Sequence, residues 1–105
     1  MNEFSEFPLR GTGRTTFMLE EALTAKIEGV KVLIVMATEG EIRHALRLLP
    51  MAGLRPEDFK PLHTVAVSES LRGLTKKQVF VDHNVWDSGS WEDMSSLDSQ
   101  LRKLR

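Results

Sequence analysis

The run Val30-Lys31-Val32-Leu33-Ile34-Val35-Met36-Ala37 constrains the fold more than any other stretch of the chain. It is short, rich in β-branched residues and, apart from Lys31, apolar without alternation. A strand with one face in water alternates apolar and polar residues, whereas a strand covered on both faces does not. The run therefore predicts a strand held between two layers, as in a parallel sheet flanked by helices. Its neighbours agree. Over residues 15–28, Leu19, Ala22, Leu23 and Ile27 recur at helical spacing, while Glu20, Glu21, Lys26 and Glu28 take other faces. Gly29 stands where a helix ends. After the run, Thr38-Glu39-Gly40-Glu41 has the pattern of a capping box. It opens a second helix that turns Ile42, Ala45, Leu46 and Leu49 inward and is closed by Pro50 and Gly53.

The rest of the chain continues the alternation. Residues 55–59 predict one helical turn with Pro56 at its first position. Residues 62–67 read as a second strand, 68–73 as a turn or short helix, 78–82 as a third strand ending on an acid, and 84–89 as a loop. Ser90, with Asp93 three residues on, caps a C-terminal amphipathic helix over 90–105. Its Trp91, Met94, Leu97, Leu101 and Leu104 form one stripe, and Arg102, Lys103 and Arg105 complement the helix dipole. Residues 1–10 read as an extended lead-in kept from helix by Pro8. No repeat or low-complexity segment is evident. The fold class is α/β: one domain over 1–105, a mostly parallel sheet of three to four strands with helices on both faces.

Composition narrows the function classes. A chain of 105 residues suits one domain with a modest core. The net charge of -1 and pI near 6.3 argue against a broad nucleic-acid or anionic-membrane surface. The lack of cysteine excludes disulfides, thiolate zinc sites and a cysteine nucleophile. Residues 1–7 carry no apolar run of the signal-peptide kind, and residues 32–37 are too short to span a bilayer. A soluble cytoplasmic protein without a membrane partner is the expectation.

Chemistry concentrates at Gly11-Thr12-Gly13-Arg14-Thr15-Thr16, directly before the first predicted helix. Small residues let backbone N–H groups approach phosphate oxygens, and the free N–H groups of a helix start face an anion. Gly11 and Gly13 supply the small residues, Arg14 the cation, and Thr15 and Thr16 the hydroxyls. The Walker A pattern is Gly, four residues, then Gly-Lys-Ser/Thr. Here the first glycine is replaced by Pro8 and the lysine by Arg14. A glycine turn with a threonine cap explains the stretch equally well when it is taken alone. Downstream, Val79-Phe80-Val81-Asp82 is an apolar strand ending in aspartate, the Walker B pattern. The plainer reading of Asp82 is a capping residue at a strand end.

Together these motifs resemble a shortened P-loop NTPase of the additional-strand, RecA-like class found in helicase and phage terminase cores. Ser68-Glu69-Ser70-Leu71-Arg72-Gly73-Leu74, just before the aspartate strand, is similar to what such motors carry there. The opening also resembles small phage-type P-loop proteins. The resemblance spans residues 10–87. It implies a truncated three-layer P-loop domain binding a nucleoside triphosphate, with ATP and Mg2+ as the expected pair. By position, Gly11, Thr12, Gly13 and Arg14 would wrap the phosphates, with Arg14 in the lysine role. Thr15 and Thr16 would follow at the helix start, Thr15 would touch the metal, and Asp82 would hold its water shell.

Three departures shift the expectation toward binding with weak or absent hydrolysis. The catalytic glutamate that this class places after the aspartate is His83, a weak candidate for positioning water; Asp87, Glu92 or Asp93 would have to lean in. No clear strand precedes the loop, which leaves an open sheet edge. No later strand or arginine finger follows. Two other functions stay open: an interaction module aimed at a host or virion protein, or pairing with itself, through the open edge or the C-terminal helix; and a nucleic-acid accessory using Arg43, Arg47, Arg72, Lys76 and Lys77, which dispersed solubilising charge explains better. His44, His63 and His83 lack metal-ligand spacing. Trp86 and Trp91 are expected to pack rather than stack on a base.

Overall fold

The computed structural model describes residues 14–48, 53–68 and 70–105. Along the chain these form α1 (Arg14–Ile27), β1 (Leu33–Met36), α2 (Glu39–Leu48), a 3-10 turn (Pro56–Asp58), β2 (Phe59–Pro61), α3 (Leu62–Ala66), a second 3-10 turn (Lys76–Gln78), β3 (Val79–Val81), α4 (His83–Ser88) and α5 (Trp91–Arg102).

All three strands are parallel and their order is β2-β1-β3. Ile34, in the central strand, pairs with Phe59 on one side and Phe80 on the other. Every residue of β1 is buried, which is why its sequence does not alternate. The pleat divides the side chains between two cores. Ile34, Met36, Phe59 and Phe80 pack with Leu19 and Ala22 of α1 and Ile42 and Ala45 of α2. Leu33, Val35, Val79 and Val81 pack with Leu62, Val65, Val85 and Leu97 of α3, α4 and α5. The expected three layers are present: two helices, a small parallel sheet and three helices.

Local chemistry sets the boundaries. α1 ends in a Schellman motif: Val30 N–H donates to Ala25 O and Gly29 N–H to Lys26 O, both at 3.0 Å, with Gly29 at φ 95°. The strand entrances after α2 and α3 share a design that sequence reading missed. Gly53-Leu54 and Gly73-Leu74 each lead into a 3-10 turn, and both glycines have positive φ. Each turn is tied by a side chain folding back: Arg55 N–H donates to Asp58 Oδ2 and Thr75 N–H to Gln78 Oε1, both at 2.8 Å. Asp58 also receives Lys26 Nζ at 2.5 Å, which fastens the end of α1 to the start of β2.

Several expectations need correcting. The strand expected over 62–67 is the helix α3, and the strand is the three residues before it. Leu62 and Val65 are both buried and three apart, a helical spacing, and Pro61 ends the strand in extended backbone. The loop expected over 84–89 contains α4, whose single buried apolar residue, Val85, is too little to display a period. Ile27, expected inward, is 74% exposed in the last turn of α1, and Trp91, expected in the α5 stripe, is 78% exposed. Trp86 is 41% exposed and so has more than half of its surface covered, whereas Trp91 does not serve chiefly as packing.

Candidate functional site

In a parallel sheet all strands end on one side, and ligands of such folds sit in the crevice beyond those ends. Here that edge collects the chemistry. β1 runs through Ala37 to Thr38 and into α2, and β3 runs through Asp82 into α4. α1 lies over β3 and returns through residues 28–32 into β1, so it runs against the strands. Its fourteen residues span about 21 Å. That length carries its first residues, Arg14 to Thr16, to the carboxyl edge. Gly11, Thr12 and Gly13 lie outside the described residues. Arg14 and Thr15 are placed by backbone as the start of α1, and Thr16 follows with an exposed side chain.

Asp82 is the most informative residue of the edge. It is 2% exposed. Its N–H donates to Val35 O at 2.9 Å, continuing the β1–β3 pairing one residue past β3. It occupies the N-cap position of α4, yet its carboxylate makes no capping bond to that helix. Burying a carboxylate is costly, and a capping role does not require it. The His83 Nδ1 stands 3.6 Å from Asp82 Oδ1, so the imidazole that replaces the expected glutamate turns toward the aspartate.

The carboxylate brought to this segment is one that sequence reading assigned to helix capping alone. Glu41 N–H donates to Thr38 Oγ1 at 3.1 Å, half of the expected capping box. The Glu41 side chain crosses to α4, where Asn84 Nδ2 donates to its Oε2 at 2.5 Å. The first turns after β1 and β3 are thereby clasped beside Asp82. The sequence signal was the Thr38–Glu41 pair itself; nothing in the sequence linked it to Asn84, forty-three residues on. Asp87 and Glu92 are exposed on α4 and α5, and Asp93 N–H is bonded to the Ser90 cap at 3.1 Å.

Among the described residues, no group of three or more His, Cys, Asp or Glu is arranged to hold a metal. His63, expected at a strand start, is exposed on α3, and His44 is half-buried on α2. The five basic residues considered for nucleic acid do not share a face. Arg43 and Arg47 project from α2, whereas Lys76 and Lys77 precede β3 at the amino edge. Arg72 lines a cavity of about 660 Å³ together with Lys103 and Arg105 at the end of α5. No described helix is long and apolar enough to cross a membrane. No family model matches the sequence, and no curated protein or solved structure matches it either. The parallel α/β sheet with Asp82 and the start of α1 at its carboxyl edge therefore stands on its own geometry.

Proposed function

We propose that this carboxyl edge binds the phosphates of a nucleoside triphosphate, ATP with Mg2+ being the expected pair, and that hydrolysis is weak or absent. The observation that carries the reading is Asp82, buried at the end of β3 on the edge where α1 begins. Backbone N–H groups of Gly11 to Arg14 and the positive end of α1 would face the phosphates. Arg14 would grip two phosphate oxygens at once, where lysine would act as a point charge. Mg2+ prefers oxygen ligands and keeps several waters, so Thr15, Asp82 and the nucleotide would suffice without a larger acidic cluster. When bound, the ion would neutralise phosphate charge. His83 in the glutamate position leaves no fixed carboxylate directly after Asp82, which supports binding over catalysis.

Calorimetry tests the reading with Mg-ATP, ADP, GTP and sulfate as titrants. Binding of at least one at or below millimolar concentration is expected, corresponding to about -4 kcal/mol or better. Silence from all four would remove the proposal. A second reading, a protein-interaction module, is favoured by the side of β3 that has no strand partner among the described residues.

A further inference from the structure

We infer that the outer edge of β3 and the groove beside it bind an extended, basic segment of another protein as a fourth strand. Among the described residues the sheet has two edges, β2 and β3. They differ in a way that matters for pairing. β2 carries Lys60 and Pro61, residue types that block strand addition. β3 is Val79-Phe80-Val81, with neither charge nor proline, and all three residues are half-exposed. Its backbone is directed outward as well. Asp82 N–H points to β1, where it meets Val35 O. Backbone groups alternate along a strand, so the N–H and C=O of Val81 and the C=O of Val79 face away from β1, while the Val79 N–H closes the preceding 3-10 turn onto Lys76 O.

Above this edge lies a groove of about 480 Å³. One stripe of α1 forms its wall, with Phe17, Glu20, Glu21 and Thr24, followed by Glu28 just past the helix, and Phe80 of β3 forms its base. Phe17 is 62% exposed. Among the described side chains the lining includes three glutamates and no cation.

The charge selects among occupants. Residues 3–9 of this chain, Glu3-Phe4-Ser5-Glu6-Phe7-Pro8-Leu9, would bring two more acids, no cation and a proline. A second copy paired β3 to β3 about a two-fold axis would set the same three glutamates against each other. Both arrangements place acid on acid. A strand from a different protein with alternating lysine or arginine satisfies the glutamates, and its apolar residues meet Phe17 and Phe80. Main-chain bonds to the N–H and C=O of Val81 and the C=O of Val79 supply affinity, and the side chains supply selectivity.

Amide NMR spectra of the full chain, titrated with a short peptide alternating lysine with valine and phenylalanine, test the inference. The amide of Val81 and those of residues 17–28 are expected to shift. Joint Glu20→Lys and Glu21→Lys substitution is expected to weaken binding about tenfold or more. Both glutamates are exposed, so the thermal midpoint should hold, showing that the fold survives. A peptide N-methylated at its pairing amides should not bind. Four results would overturn the inference: no shift at Val81; equal binding of a peptide with glutamate in place of lysine; an amide of Val81 already protected in the free chain and deprotected by Phe4→Asp with Phe7→Asp; or a dimer by sedimentation that buries the same amide.

Discussion

Asp82 and Gly89 show how much a single residue can decide in so small a sheet. On the proposed reading, Asp82→Asn is expected to lower Mg-ATP affinity about tenfold by calorimetry, in a chain that thermal unfolding shows to be still folded. Gly89 has the opposite profile. A Cβ there would lie 2.5 Å from Leu62 Cδ2 and 2.7 Å from Val85 O, because the turn between α4 and α5 presses onto the start of α3. Gly89→Ala should cost about 1–3 kcal/mol in denaturant unfolding and leave nucleotide affinity intact. Asn84→Ala removes the donor to Glu41 and is expected to cost about 1–3 kcal/mol, since the bond involves a partly buried carboxylate. At this scale the sequence was informative about Asp82, which ends an apolar run, and about Ser90, which accepts from Asp93 N–H as expected. It was silent on the Glu41–Asn84 clasp, because capping chemistry fully accounted for Glu41 and no local pattern points across the sheet.

At the scale of elements, legibility followed burial and length. β1 was readable because both of its faces are covered, leaving no polar residue to blur it. α1, α2 and α5 are long enough to repeat a helical stripe. β2 and α4 were not readable: one has three residues including Lys60 and Pro61, the other six residues around Val85 alone. The apolar content of 62–67 was real, but Leu62 and Val65 spend it on a helix face covering Leu33 and Val35. α5 is the lid of that second core. Leu97 is fully buried there, Ser96 Oγ donates to Ala66 O at 2.7 Å, and Gln100 Nε2 donates to Val65 O at 2.9 Å. Leu97→Ala should cost about 2–5 kcal/mol by denaturant unfolding, because the site is enclosed and can collapse little. Trp91→Ala, at an exposed position on the same helix, should change stability by less than about 0.5 kcal/mol in the same experiment.

For the whole molecule, the parallel arrangement separates two uses of one sheet. Strand ends gather Asp82, Glu41 and the start of α1 on one edge, while the side of β3 that has no strand partner among the described residues borders an acidic, half-apolar groove. The positive residues Lys76, Lys77, Arg72 and Lys103 lie toward the amino edge. Nucleotide binding and strand addition are therefore expected to be separable by mutation: Glu20→Lys with Glu21→Lys should leave Mg-ATP affinity within about twofold, as expected for distant, independent sites. The most direct test of the nucleotide reading is calorimetry of Arg14→Ala with Mg-ATP alongside its thermal midpoint. The account predicts an affinity loss of about tenfold or more, from removal of a bidentate phosphate contact, in a chain that still folds. Unchanged affinity in a folded Arg14→Ala chain would contradict it.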